Sequence, residues 1–111
     1  MSIRDLDYFF RPNSVAVVGA SKRPGSVGAV LMNNLMRAGF DGPIMPVNPN
    51  ERAIGGALAW PSVADLPVAP ELGVVCTPPD TVADVVGDLQ AKGAKAAIVI
   101  TAGFGEGGTD K

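Results

Sequence analysis

One stretch of this sequence combines residue types that suit the binding of an anion: Gly19-Ala20-Ser21-Lys22-Arg23-Pro24-Gly25-Ser26-Val27-Gly28. Glycines let main-chain N–H groups approach a ligand closely, and a helix opening near Gly28 adds the positive end of its dipole. That dipole contributes only about 0.3–1 kcal/mol per charge at an exposed end. Lys22 or Arg23 is placed to supplement it. The stretch therefore suits a phosphate-bearing ligand. Three more segments are similarly rich in turn-forming or small polar residues: Asn48-Pro49-Asn50, Thr77-Pro78-Pro79-Asp80 and Thr101-Ala102-Gly103. Each is also ordinary turn chemistry. Their recurrence after four apolar runs is the stronger signal.

The chemistry that the sequence excludes is equally informative. It contains no histidine, so a histidine base, a histidine-containing triad and a histidine metal site are all ruled out. The one cysteine, Cys76, lies in an apolar run and lacks the usual base, which marks a core thiol rather than a nucleophile. No catalytic residue is expected. Two familiar nucleotide motifs also fail on particular residues. A dinucleotide fingerprint needs G-x-G-x-x-G and an acid near the end of the second strand. Here Ser21 replaces the second glycine, and the strand ends in Val47-Asn48-Pro49. A Walker-type loop needs G-x-x-x-x-G-K-[ST], but Gly25 comes one residue late and no lysine follows it.

The elements that must position these loops follow from the apolar patterning. Ser14 to Gly19, Pro43 to Val47, Leu72 to Cys76 and Ala96 to Ile100 read as strands. The prolines of the second suggest a strand start or an exposed stretch. Gly28 to Ala38 reads as a helix with Val30, Leu31, Leu35 and Met36 inward and Gly39 ending it. A second helix, over Thr81 to Lys92, is expected to be capped by Asp80 and to face inward with Val82, Val85, Val86 and Leu89. Between them, Ile54 to Trp60 suggests a short strand or turn, and Ser62 to Leu66 a short helix. Trp60 is expected to serve as a packing anchor, as are Phe9 and Phe10. Strand, helix, strand with short connections predicts an α/β domain with a mainly parallel sheet and helices on both faces.

At 111 residues the chain is one domain at most, and 47% hydrophobic content marks it as globular. A net charge of −2 with scattered Lys and Arg offers no basic stripe for nucleic acid. No apolar run approaches the roughly 20 residues of a membrane helix, and acids stand where a signal peptide would be apolar. A cytoplasmic location is expected. The glycine-rich end, Gly103 to Lys111, resembles a loop that should open another helix, so residues 1–111 read as a fragment of a larger protein.

With these elements in place, Tyr8-Phe9-Phe10-Arg11-Pro12-Asn13-Ser14-Val15-Ala16-Val17-Val18-Gly19-Ala20-Ser21 resembles the opening of the CoA-binding domain in ADP-forming (NDP-forming) acyl-CoA synthetases. These are relatives of the succinyl-CoA synthetase alpha subunit. Pro46-Val47-Asn48-Pro49, Trp60-Pro61-Ser62-Val63, the Pro78 segment and Ile100-Thr101-Ala102-Gly103-Phe104 continue the resemblance in order. It implies a Rossmann-like fold with coenzyme A as substrate. The loop holding the CoA phosphates would comprise Gly19, Ser21, Lys22, Gly25, Ser26, Val27 and Gly28. Asn48, Pro49 and Asn50 would lie by the adenosine, Thr77 and Pro78 by the pantetheine arm, and Ile100, Thr101 and Ala102 near the thiol. The resemblance further implies partner ligase and ATP-grasp domains, which would carry ATP or GTP and the phosphorylated histidine. Two positions depart from the pattern. Glu51 follows Asn50 where many relatives carry a lysine, with Arg52 as the available substitute. Ala102 replaces the acid of the succinyl branch, which points to the acetate or general acyl-CoA branch.

Two other readings are open on the sequence alone. One is a non-catalytic CoA-binding or regulatory module, free-standing or fused to a protein acetyltransferase. The other is an NAD(P)-binding domain, disfavoured by the missing glycine and acid.

Overall fold

A computed structural model describes residues 12–100. Thr101, Ala102 and the glycine-rich segment after them lie outside the described residues, as do Phe9 and Phe10. Four parallel strands form the main sheet: β1 (Val15–Val18), β2 (Ile44–Val47), β5 (Leu72–Val75) and β6 (Ala96–Val99), in the order β2-β1-β5-β6. Val17 of β1 faces Pro46 on one side and Val74 on the other. The chain thus adds β2 to one side of β1 and later β5 to the opposite side. The switch in strand order falls at β1. A two-residue pair, β3 (Ala53–Ile54) and β4 (Ala57–Leu58), forms an antiparallel hairpin between β2 and β5.

Each strand reads as it does because both of its faces are covered. Val15, Val17, Leu72 and Val74 pack with Met32 and Ile54 on one side. Ala16, Val18, Met45, Val47, Val75 and Leu89 pack on the other. Helix α1 (Val27–Arg37) closes the first layer and helix α2 (Val82–Lys92) the second. Helices on both faces of a parallel sheet are therefore present, as the strand patterning predicts.

Helix α2 presents the expected face, with Leu89 buried and Val82, Val85 and Val86 against the core. Leu89 fills the space above Gly73 of β5, where an added Cβ would come within 2.6 Å of its Cδ1. The start of α2 differs from expectation. Pro79–Thr81 form a 3-10 turn that leads into the helix, and Thr81 Oγ1 donates to the Pro78 carbonyl at 2.7 Å. Asp80 sits inside that turn and does not cap. With two adjacent prolines fixing φ, the turn begins ahead of the helix and takes the acid into itself.

Helix α1 also differs in phase. Gly28 and Met32 are buried, with Leu31 and Leu35 partly so, while Val30 is 48% and Met36 38% exposed. So many of its residues are apolar that several stripes fit the pattern. The close approach of Gly28 to the Gly19 carbonyl selects among them. Pro46 likewise is fully buried, not in an exposed stretch. It is tolerated because β2 lies at the sheet edge, where the Pro46 carbonyl accepts from Trp60 N at 3.0 Å. Trp60 packs against the second layer, as expected of an anchor. The middle region is a hairpin turned at Gly55-Gly56, then a 3-10 turn over Val63–Asp65.

Candidate functional site at the carboxyl edge of the sheet

Ligands of open parallel sheets sit beyond the strand carboxyl ends, where the strand order reverses. Here that place is the space over Gly19, between the loops that leave β1 and β5. The sheet's ladder runs on into these loops. Gly19 N donates to Val47 O at 3.1 Å, Cys76 N to Val18 O at 2.8 Å, and Ile100 N to Val75 O at 2.9 Å. The loop bases are therefore held as firmly as the strands.

The loop between β1 and α1 is shaped by two close approaches and one left-handed turn. A Cβ on Gly28 would collide with the Gly19 carbonyl oxygen, and one on Gly19 would come within 2.9 Å of the Cys76 carbonyl. These two glycines let the helix start press onto the strand end. Gly25 is different: its φ is +83°, and a Cβ there would meet nothing within 4 Å. It bends the loop, and the space above it is open.

The loop's hydroxyls are largely committed to the loop itself. Ser26 is the N-cap of α1, accepting from Ala29 N at 3.2 Å and donating to Arg23 O at 2.8 Å. Ser21 Oγ accepts from Arg23 N at 2.9 Å. With the cap serving Ala29, no described residue accepts the N–H of Val27 or Gly28, as expected of the first helical turn. Both residues line a cleft of about 350 Å³, together with Gly19, Ser21, Arg23, Pro24, Gly25, Ser26 and Cys76. Burial pushes the Cys76 thiol up to about 11. It packs partly buried against the first layer and also lines the cleft.

A second cleft of about 320 Å³ shares Gly19 and Ser21 with the first and runs along the strand ends toward β2 and α2. Asn48, Pro49 and Thr77 line it, together with Val63, Val85 and Asp88. Asn48 ties the loops together. Its Nδ2 donates to Ala20 O at 2.8 Å, and its Oδ1 accepts from Asn50 N at 2.7 Å. Thr77 Oγ1 is buried with no partner among the described residues.

The sequence-predicted residues thus divide. Gly19, Ser21, Gly25, Ser26, Val27, Gly28, Asn48, Pro49 and Thr77 converge on the two joined clefts. Lys22 turns to the other flank of its loop, into a depression of about 210 Å³ beside α1 and the hairpin, and pairs with Glu51 at 3.3 Å. Asn50, Pro78 and Ile100 line none of these clefts. Asn50 closes the turn after β2, Pro78 precedes the 3-10 turn, and Ile100 packs on the core. The structure adds Arg23 to the first cleft and Val63, Val85 and Asp88 to the second. Arg23 was legible as a loop cation. Val85 and Asp88 are three apart on α2, on one side of the helix, but nothing in their local sequence says which loop they meet.

Each cleft falls within the range of about 300–1,000 Å³ typical of small-molecule sites, and together they make a trough. Free main-chain amides, an arginine and an open left-handed glycine suit the phosphates of an extended nucleotide. An α/β domain with such a trough at its switch point belongs among the Rossmann-like binders of nucleotide-type ligands. Comparison with known families narrows this. The family described as CoA binding domain matches residues 13–107, and the chain belongs to it. The chain is 41% identical over 104 residues to the ADP-forming acetate–CoA ligase of Methanocaldococcus jannaschii, covering 94% of this chain and 14% of that protein. It is 40% identical over 109 residues to a prokaryotic trans-feruloyl-CoA synthase, covering 98% of this chain and 15% of the relative. Among solved structures, the dinucleotide-forming acetyl-coenzyme A synthetase 1 of Ca. Korarchaeum cryptofilum, in complex with phosphate and ADP, superposes with a TM-score of 0.85 at 39% identity. That match covers 97% of this chain and 23% of that one. The protein is a CoA-binding module related to the ADP-forming acyl-CoA synthetases, and it spans about one-seventh of the length of these curated relatives.

Proposed function

We propose that this module holds coenzyme A along the trough and presents its thiol for thioester formation on other domains of an ADP-forming acyl-CoA synthetase. One observation carries the reading: the two clefts meet at Gly19 and Ser21, so a single extended ligand can follow the strand ends from one into the other. The diphosphate lies over Gly25 and accepts from the Val27 and Gly28 amides, with Arg23 alongside. The second cleft, lined by Asn48, Pro49 and Thr77, takes the adenine and the pantetheine arm. The module's own main-chain amides and side chains do the binding and orienting. The chain has no histidine to carry a phosphoryl group, so the acid–CoA ligation, its ATP or GTP and the phosphorylated histidine belong to ligase and ATP-grasp partners. A cytoplasmic setting goes with this chemistry.

Calorimetric titration with CoA, and separately with NAD and NADP, tests the proposal. The expected result is CoA binding with a Kd in the micromolar range or weaker, about −8 kcal/mol or less in magnitude, and no uptake of NAD or NADP. Uptake of either dinucleotide with none of CoA overturns it.

A further inference from the structure

Two adjacent cations of the β1–α1 loop serve opposite flanks. Arg23 lines the cleft over Gly25, whereas Lys22 lines the depression formed with Ser21, Ala29, Met32, Asn33, Ile54 and Gly55. Among the described residues, Lys22 is the one charged group lining that depression, and the polar side chains there are Ser21 and Asn33. The Lys22 ammonium lies 3.3 Å from Glu51, which follows the turn closed by Asn48 and Asn50. Asn48 fixes that turn to Ala20, next to Ser21. The carboxylate is thus presented to Lys22 across the gap between the loops after β1 and β2.

We infer that Lys22 reads a second, separate phosphate, the monoester on the ribose of the bound nucleotide, and that Glu51 holds Lys22 in place when no ligand is bound and competes for it when one is. The inference rests on the CoA reading and deepens it. CoA carries a 3′-phosphate distinct from its diphosphate. A ligand whose diphosphate occupies the Arg23 flank has one phosphate left for the opposite flank. Lys22 is the cation there, and Asn33 supplies an amide donor. Glu51 makes this recognition weaker than a bare lysine would. It repels the dianion and must give up its partner before the phosphate can be paired.

The test is titration of the wild-type protein, K22Q and E51Q with CoA and with 3′-dephospho-CoA at low salt. The pair is 60% and 35% exposed at its two side chains, so neither substitution opens the core, and both variants should melt with the wild type. E51Q should bind CoA about two- to fivefold more tightly, the range of an exposed ion pair, with dephospho-CoA unchanged. K22Q should lose about three- to tenfold for CoA, and again nothing for dephospho-CoA. If the wild type binds CoA and the two substitutions shift both ligands alike, or neither, the Lys22 assignment is wrong and the trough reading stands. If the wild type binds neither ligand, the trough reading itself fails and takes the assignment with it.

Discussion

Replacing Gly25 by asparagine separates the loop's role in binding from its role in folding. Gly25 has φ +83°, and a Cβ at that position would touch nothing within 4 Å, so the only folding cost is conformational. A left-handed residue other than glycine costs about 1–2 kcal/mol, and asparagine tolerates the region better than most. The expected loss is about 1 kcal/mol or less. For a domain of this size that is a fall in Tm of about 4–8 °C at most. Valine would be a poorer probe, because its branched Cβ makes the strain itself large.

The binding cost should be larger. The asparagine side chain would fill the open space over the loop and hold an anion away from the Val27 and Gly28 amides. A hydrogen bond to a charged group contributes about 1.5–3 kcal/mol, so losing one such contact already weakens CoA binding by about tenfold or more. Gly28→Ala is the control with opposite behaviour. Its Cβ collides with the Gly19 carbonyl, and backbone cannot step aside as a side chain can. Overpacking of this kind costs about 1–3 kcal/mol, which a melt will show directly. Thermal denaturation followed by circular dichroism, with calorimetric titration of CoA, reads both quantities. A Gly25→Asn protein that melts like the wild type and binds CoA equally well would refute the placement of phosphates over this loop.

Three further outcomes follow from the same structure. Thr77→Val removes a buried hydroxyl that has no partner among the described residues and should leave the ligand-free protein as stable or raise it by about 1 kcal/mol; a clear fall in Tm would mean the hydroxyl is satisfied after all. Cys76, with its thiol pushed up to about 11 from the ordinary 9.0 by burial, should react slowly with iodoacetamide at pH 8 in the folded state and rapidly once unfolded. Because the folded thiol titrates above the unfolded one, its contribution to stability is fully present below about pH 9 and is lost as pH rises toward 11; Cys76→Ala should flatten that part of the stability–pH curve, and an unchanged curve would count against the assignment. Leu89→Ala empties the space over Gly73 and should cost about 2–5 kcal/mol, measured by urea denaturation.

What the sequence reveals tracks how local its physics is. Strands β1 and β5 are short β-branched runs that can only be buried on both faces. The α2 spacing of Val82, Val85, Val86 and Leu89 admits a single inner face. Both are legible without a structure. The phase of α1 is not, because Val27, Ala29, Val30, Leu31, Met32, Leu35 and Met36 offer more than one apolar stripe. Contact between Gly28 and the Gly19 carbonyl decides the matter, and that contact is tertiary. Asp80 misleads for a neighbouring reason: it has the right type for a cap, but Pro78 and Pro79 start a turn before it. The second cleft has walls at Val63 and at Val85 and Asp88, brought to Asn48 only by the packing of the 3-10 turn and α2 on the sheet. Val63 stands in the Trp60-Pro61-Ser62-Val63 stretch of the family resemblance, but no motif announces Val85 and Asp88.

The polar residues that make the β1–α1 loop recognisable are mostly occupied with one another. Ser26 caps α1, Ser21 braces Arg23, and Asn48 joins Ala20 to the turn at Asn50. Such a loop is braced by its own hydrogen bonds without a ligand, which lowers the ordering cost of binding. It also leaves recognition to the main-chain amides at Val27 and Gly28 and to the charges of Arg23 and Lys22. Main-chain amides take any phosphate of suitable reach, so they cannot by themselves separate one phosphorylated nucleotide from another. Discrimination must then come from charge outside the shared loop geometry, and the Lys22–Glu51 pair is where this chain has placed it.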